Sequence, residues 1–487
     1  MQKIVNPVLK MRLHPQLILA IIEPQCQKGS DLMRVTPLRR QDVDMTQGNI
    51  ARHILMFALP LVLGNLFQQM YNLVDTYVVG KFASNEAYAA VGSVGVIVNI
   101  FIGLFSGFSA GAGVVISQHF GAHNHEHVTK TVHTAALTTL ILCPIFTVLG
   151  LALTPLMLQW NNTPASVLPE SQTYLSIYFW GISGLLIYNM GAAILRAVGD
   201  SKRPFYYLMV CACINAVLDV VFVAVLKMGV TGVALATALS QCVSAVLVVI
   251  QLLRTTSVVK LRPKSLRLHR PFLKQIVRVG IPASLQMSVT AFSNVFVQSY
   301  INFFREDFMS AWTTYSKVDA ILFLPMQSIG MAVSTFVGQN LGAGQVERAK
   351  KGVRTGLISC MIFTGLGMIP ILFFAPGIVR VLNDKPQVVE YGTMLLRLIT
   401  PFFLVSCFSH LYSGALRGAG NSRAPMIIML STFVGARQLY LFIISRVCNE
   451  VIPVALSYPV GWILCSLATV VYYHHTKLDA HRFTDAK

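Results

Sequence analysis

The chain has 487 residues, 54% of them hydrophobic and 12% charged, with a mean hydropathy of +0.63. Soluble domains carry roughly 25% charge, so this composition excludes a soluble globular domain and points to a polytopic membrane protein. The net charge of +19 raises the question of nucleic acid, which the placement of Lys and Arg along the chain answers.

Residues 1–44 show no secretory signal: the apolar run "LILAII" is short, lies between Pro15 and Pro24, and no small-residue cleavage site follows it. Met45, opening "MTQGNI", makes a natural start, so residues 1–44 read as a disordered extension or an over-called start. From there, apolar stretches of about 20 residues or more, enough to cross a ~30 Å hydrocarbon core, recur to the end of the chain. They lie at 54–79, 88–117, 131–158, 168–194, 204–226, 229–253, 273–303, 312–337, 353–376, 389–415, 424–446 and 452–474. Each must be helical, because lipid offers backbone groups no partner and a closed barrel would show ten-residue alternation. The expected fold class is an all-α membrane bundle of twelve spans, with domains at 45–255 and 272–475, a basic connector at 256–271 and a tail at 476–487.

Basic residues gather around five alternate loops: Lys130; Arg196, Lys202 and Arg203; Arg254 through Arg278; Arg348 through Arg354; and Arg417 with Arg423. The intervening loops hold Lys81, Lys227, Arg305, Lys317, Arg380, Lys385 and Arg446. By the positive-inside rule the first set is cytoplasmic, and an even span count puts both termini there in a multi-pass cell-membrane protein. The excess charge reads as topology with attraction to anionic lipid, not as a nucleic-acid footprint. Nine cysteines, mostly within spans, show no disulfide or zinc spacing and read as small packing residues.

Ionisable residues cost roughly 2.5 to 3.5 kcal/mol or more at mid-membrane, so each one in a span is a functional candidate. In span 1, Gln68, Tyr71 or Asn72, and Asp75 fall on one helix face. In span 5, Asn215 and Asp219 lie one turn apart. Tyr174 near the start of span 4 and Thr237 in span 6 come to a similar depth, in the outer half of the first bundle. Span 7 keeps a polar face of Gln286, Thr290, Asn294 and Gln298, while spans 7 and 11 hold no carboxylate and span 10 none beyond Glu390 at its end. Arg397 and Arg437 are the remaining buried-charge candidates, suited to snorkelling or carbonyl pairing as well as to a direct role. A substrate cleft would draw on Gln68, Met70, Asn72, Met287, Thr290 and Asn294, with Met326 and Phe296 as further apolar lining.

The chain repeats itself. "SQHFGAHNHEHVTKTVHT" from Ser117 matches "GQNLGAGQVERAKKGVRT" from Gly338, and "LRAVGDSKRP" from Leu195 matches "LRGAGNSRAP" from Leu416, both 221 residues apart. Six spans per half make parallel repeats, the arrangement of alternating-access transporters in which one half rocks against the other. Within the matched loops Gly121, Gly199, Gly342 and Gly420 permit tight turns, and Arg196 and Arg417 can cap helix C-termini, so all six are hinge candidates. His119, His123, His125 and His127 suggest a metal site. Their repeat mates Asn340, Gly344, Val346 and Arg348 do not, so a solvated loop is expected there and no metal.

These segments, with "ALPLVLGNLFQQMYNLVDTYVVG" in span 1, resemble the multidrug and toxic compound extrusion (MATE) family over about residues 45–475. The resemblance implies a secondary antiporter of two six-helix bundles that expels organic cations or drugs in exchange for protons or sodium, with no other cofactor. Members of the DinF-like branch place an Asp on span 1, a Tyr on span 4, an Asn-x-x-x-Asp pair on span 5 and a Thr on span 6. Asp75, Tyr174, Asn215, Asp219 and Thr237 match in type and order. NorM-type members carry acidic cation ligands in the second bundle, which spans 7, 10 and 11, without a carboxylate in their interiors, do not supply. A small-molecule substrate and membrane lipid are the expected partners of a monomer, without nucleic acid. The rival readings are a lipid-linked substrate flippase and, further off, a membrane enzyme.

Overall fold

A computed structural model describes residues 42–161 and 163–483. Residues 1–41, most of the expected N-terminal extension, lie outside them. Twelve long helical segments run in order: α1 Ile50–Phe82, α2 Asn85–Gly121, α3 His125–Trp160, α4 Leu168–Ala197, α5 Lys202–Val225, α6 Gly229–Arg254, α7 Arg270–Ile301, α8 Glu306–Gly342, α9 Val346–Leu382, α10 Pro386–Gly418, α11 Arg423–Val447 and α12 Val451–His475. Eleven are apolar enough to span a membrane on composition alone. The twelfth, α7, is long enough at 32 residues but carries basic first turns and the polar face expected for span 7.

Local chemistry sets the ends. The Asn49, Ser84 and Asn124 side chains accept from the backbone N–H groups of Arg52, Ala87 and His127, capping α1, α2 and α3. Thr400 and Pro401 interrupt α10 with one 3-10 turn, since proline cannot donate into the ladder. The duplicated loops fold alike. His123 and its repeat mate Gly344 both take positive φ, at 54° and 75°, and Gly199 and Gly420 do so at 88° and 89°.

The helices form two six-helix bundles, α1–α6 and α7–α12, each with its own apolar core. Near the duplicated loops they exchange core residues. Ile54, Phe57 and Leu61 of α1 pack into the second bundle's core, while Ile276 and Val279 of α7 pack into the first. Here Gly121 lets α2 approach so closely that an added Cβ would lie 1.9 Å from the Gln339 carbonyl oxygen, and Gly342 stands identically to Gln118. The glutamines cross over: Gln118 Nε2 donates to Gly418 O at 2.8 Å, and Gln339 Nε2 donates to Ala197 O at 2.9 Å.

Each glutamine also receives a segment that flanks the bundles. Met45 N donates to Gln339 Oε1 and Phe483 N donates to Gln118 Oε1, both at 2.9 Å. Beside them, Val43 crosses Gly199 and His481 crosses Gly420, two positions where a side chain would collide with the strap. Asp42–Asp44 and Leu478–Phe483 are therefore packed parts of this end, which moves the expected boundary of the N-terminal extension to before residue 42 and ties the expected tail from 476 to the bundles through Phe483. Val43 N is bonded to Val198 O, and Asp42 accepts from Ser257.

Further along, α2 and α7 stay in contact through Ser284 Oγ to Leu104 O at 2.6 Å and Ser288 Oγ to Ile100 O at 3.0 Å. Across the pseudo-two-fold, Asn65 of α1 donates to Ser328 of α8 at 3.2 Å. These hydrogen bonds between bundles run from the looped end to about mid-helix.

Candidate functional site

Four helices of the first bundle bring polar groups to one buried region. Asp75 on α1 is 8% exposed, and Asn215 and Asp219 on α5 are fully buried. With its amide nitrogen turned toward the acids, as hydrogen bonding requires, Asn215 donates to Asp75 Oδ1 at 2.8 Å and to Asp219 Oδ2 at 3.3 Å. One amide nitrogen within 2.8 and 3.3 Å of the two carboxyl groups makes them near neighbours. Asp219 Oδ1 has no hydrogen-bond partner among the described residues, and no ion pair reaches either acid there.

The helical turn explains why Asn215 and Asp219 share a face, and α5 changes to a π-helix over Val220–Val225 immediately after Asp219. Such wide turns are rare and recur at functional sites. From α4 and α6, Tyr174 and Thr237, 8% and 3% exposed, complete the wall. Thr237 Oγ1 is buried and, among the described residues, has no hydrogen-bond partner. Tyr71 is the residue that stripe counting left open: the face shared with Asp75 belongs to it, while Asn72 is exposed.

The expected cleft residues scatter. Gln68 is half-buried on the Asp75 side, whereas Met70 is 54% exposed and points about 140° around α1 from Asp75. Met287 packs against Gly103 at the junction of the bundles, and Thr290 is tied to its own helix through Gln286 O. Asn294 is exposed where α7 continues beyond its contact with α2. Met326 is fully buried and lines no cleft.

The second bundle is not free of acid. Asp319 on α8 accepts from Tyr315 Oη at 2.9 Å, a carboxylate outside the three spans whose lack of one the sequence reading relied on. Arg437 on α11 is 1% exposed. Its Nη2 donates to Ser293 Oγ at 2.7 Å and Asn294 Oδ1 at 3.0 Å, and the guanidinium lies between the rings of Phe433 and Tyr458, 5.3 and 5.0 Å from their centroids. Side-chain partners and π faces thus hold it, rather than backbone carbonyls.

The loop residues have structural partners too. Gly121, Gly342, Gly199 and Gly420 make the close approaches described above, and Arg196 and Arg417 end α4 and α10 half-buried beside them. His119 departs from the expected solvated loop: it is 2% exposed, bonded to Gln275 Oε1 at 3.1 Å and edge-on to His127 and Phe272. Among the described residues no three His, Cys, Asp or Glu side chains gather into a metal-binding group.

Comparison with known proteins finds the MatE family model matching residues 60–221 and 282–440, one match in each half of the chain. A probable multidrug resistance protein, YpnP of Bacillus subtilis, is 27% identical over 443 residues, covering 91% of this chain and 99% of the relative. A probable multidrug resistance protein NorM of Thermotoga maritima is 26% identical, covering 82% of this chain and 86% of its own length. Among solved structures, a multidrug resistance MATE transporter of the MOP superfamily in its outward-facing conformation superposes with a TM-score of 0.84. It is 21% identical, with 91% of this chain and 98% of that one covered.

Proposed function

The chain belongs to the MatE family, and on that premise we propose that it is a cation-coupled antiporter that exports organic cations or drugs by alternating access. The observation that carries this reading is the Asp75–Asn215–Asp219 cluster, two buried acids bridged by one amide with no basic side chain paired to them among the described residues. Two carboxylates in contact repel unless a cation is shared between them. A proton or a sodium ion fills that need, and so does the charge of an organic cation. Mutually exclusive occupancy by coupling ion and substrate is the requirement of an antiporter.

With the basic loops in the cytoplasm, the joined end of the bundles faces inward and the acid cluster belongs to the outward-facing half. Ions from outside reach Asp75 and Asp219, neutralise the pair, loosen its hold on a bound substrate cation and thereby drive release outward. The ion-loaded protein then parts at Gln118 and Gln339 to face inward, where loss of the ion restores the pair for another substrate. Protons are the favoured ion, since a proton fits the short Asp–Asn–Asp contacts without further oxygen ligands. One charge moving through 100 mV supplies about 2.3 kcal/mol, enough for a roughly fifty-fold substrate gradient.

Proteoliposomes with a fluorescent organic cation test this directly. An imposed pH gradient should accelerate transport and a sodium gradient should not. Transport indifferent to both gradients would overturn the antiporter, and sodium dependence alone would reassign the ion.

A further inference from the structure

The connector between the bundles, residues 255–269, does not loop freely between α6 and α7 but is stitched to the first turns of α3. Thr129 Oγ1 donates to Val258 O at 3.4 Å, Arg262 N donates to His133 Nε2 at 3.0 Å, and His269 N donates to Thr134 Oγ1 at 3.2 Å. Because His133 Nε2 accepts, its proton lies on Nδ1 and is donated to Thr129 O at 2.7 Å. Between connector and helix this framework holds open two adjoining cavities of about 300 and 260 Å³.

The first is lined by Lys130, Lys264, Arg267, His269, Thr129 and Ser265, and the second adds Lys260, Arg262 and Ser257. No carboxylate lines either one. Lys130 pairs with Glu126, but Lys260, Arg262, Lys264 and Arg267 take part in no ion pair among the described residues. Orientation signals account for the number of cations here. They do not account for an open cleft lined by cations, hydroxyls and imidazoles without an acid.

Such a donor set is suited to a phosphate ester. Its position indicates which kind. The same face of α3 that starts at Lys130 continues through Ile141, Ile145 and Val148, exposed by 44%, 44% and 65%, an apolar track rising from the cavity into the hydrocarbon layer. Leu268, 39% exposed, flanks the cavity on the connector side. A free phosphate has no use for that track, whereas a phospholipid's acyl chains do.

We propose that the cradle between α3 and the connector is a binding site for the phosphate headgroup of an anionic membrane lipid. Lys264 and Arg267 grip the phosphate from the connector and Lys130 from α3, with the acyl chains laid along Ile141, Ile145 and Val148. Basic pockets at the cytoplasmic ends of membrane helices are suited to such headgroups.

The test uses the full-length protein in neutral detergent, titrated with phosphatidylglycerol, phosphatidylcholine or inorganic phosphate while its thermal unfolding midpoint is followed. Phosphatidylglycerol should raise the midpoint saturably and the other two should not. A Lys264→Gln Arg267→Gln variant, altered only at exposed side chains, should need about tenfold more phosphatidylglycerol or more for the same rise. A Lys350→Gln Lys351→Gln variant, altered on the basic loop of the second bundle, should respond like the parent. Should the first variant fold poorly, Lys264→Gln alone gives the same comparison with a smaller change. Equal protection by inorganic phosphate would overturn the lipid assignment. Equal loss in both double variants would reduce the effect to general surface charge, and an unchanged titration in the Lys264 and Arg267 variant would remove the site altogether.

Discussion

Helices α5 and α11 occupy the same place in the two halves of the chain, and both widen into π-helix, over Val220–Val225 in one and Leu430–Ala436 in the other. Beside the wide turn stands a buried ionisable residue in each, but Asp219 in α5 and Arg437 in α11 carry opposite charges. Each leaves one buried polar atom without a partner among the described residues, Asp219 Oδ1 and Arg437 Nε, but Asp219 faces a second acid, whereas Arg437 donates to Ser293 and Asn294 and has two aromatic rings beside it. The duplicated scaffold has kept its helices and a wide turn in each, though at different repeat positions, and has diverged in chemistry. The first bundle holds a charge arrangement that calls for an exchangeable cation, and the second holds a cation already provided with partners.

That contrast breaks if the two clusters respond alike to mutation. The largest effect is expected at the acids: Asp75→Asn with Asp219→Asn should lower gradient-driven transport at least about a hundredfold while leaving the thermal unfolding midpoint the same or higher, since two buried like charges are removed. Full transport by this variant, measured in proteoliposomes, would end the assignment of coupling to the first bundle.

The looped end supplies the symmetric control. Gly121→Ala and Gly342→Ala each place a methyl 1.9 Å from a backbone oxygen of the opposite bundle, so neither can be accommodated without parting the bundles there. Both should increase labelling of a cysteine introduced at Ser117 by a water-soluble maleimide several-fold, and by similar amounts. A response confined to one of them would show that the two halves of the closure are not equivalent.

Arg437→Met should act on stability first. Losing two charged hydrogen bonds and two cation–π contacts costs about 2–4 kcal/mol, partly offset because no buried charge remains. The unfolding midpoint should fall while the ion dependence of the remaining transport is unchanged. A changed ion dependence with an unchanged midpoint would instead make Arg437 part of the coupling machinery.

The smallest effect concerns the two terminal straps, which differ in titration though they sit in matched seats. Burial, then the nearby Asp200, holds the Asp42 carboxyl above its usual value of 3.8 against the opposing hydrogen bond from Ser257. Its contribution therefore favours the folded strap at low pH and is lost as pH rises through the raised value. Burial and the neighbouring Arg278 hold His481 below its usual 6.5, so the second strap is favoured at high pH and loosens as pH falls below 6.5. Hydrogen exchange from pH 7 to pH 5, corrected for intrinsic rates, should show residues 481–483 losing protection relative to residues 43–45. Parallel changes in both would show that neither side chain governs its strap.

Much of this was legible before any coordinates. Twelve spans, the repeat at a spacing of 221 residues and the convergence of Asp75, Tyr174, Asn215, Asp219 and Thr237 all follow from hydropathy, periodicity and depth along helices. What was hidden depends on rotation and on distant chain segments. A stripe at 3.6-residue spacing cannot choose between Tyr71 and Asn72, and Met70 was offered to a cleft from which its helix turns it away. Asp319 was overlooked because the search of the second half weighed spans 7, 10 and 11 and left α8 aside. The pairing of Met45 with Gln339 and of Phe483 with Gln118 joins residues about 300 or more apart, and no local pattern announces such contacts. The π-helices are likewise silent in composition.

The measurement that bears most directly on the coupling site is proton release on substrate binding. Purified protein in weakly buffered detergent, mixed with a transported organic cation and a pH indicator, should release close to one proton per substrate bound near neutral pH. The Asp75→Asn Asp219→Asn variant should release none. Equal release by both proteins, or substrate binding without release by the parent in the absence of sodium, would contradict a shared site for proton and substrate at Asp75 and Asp219.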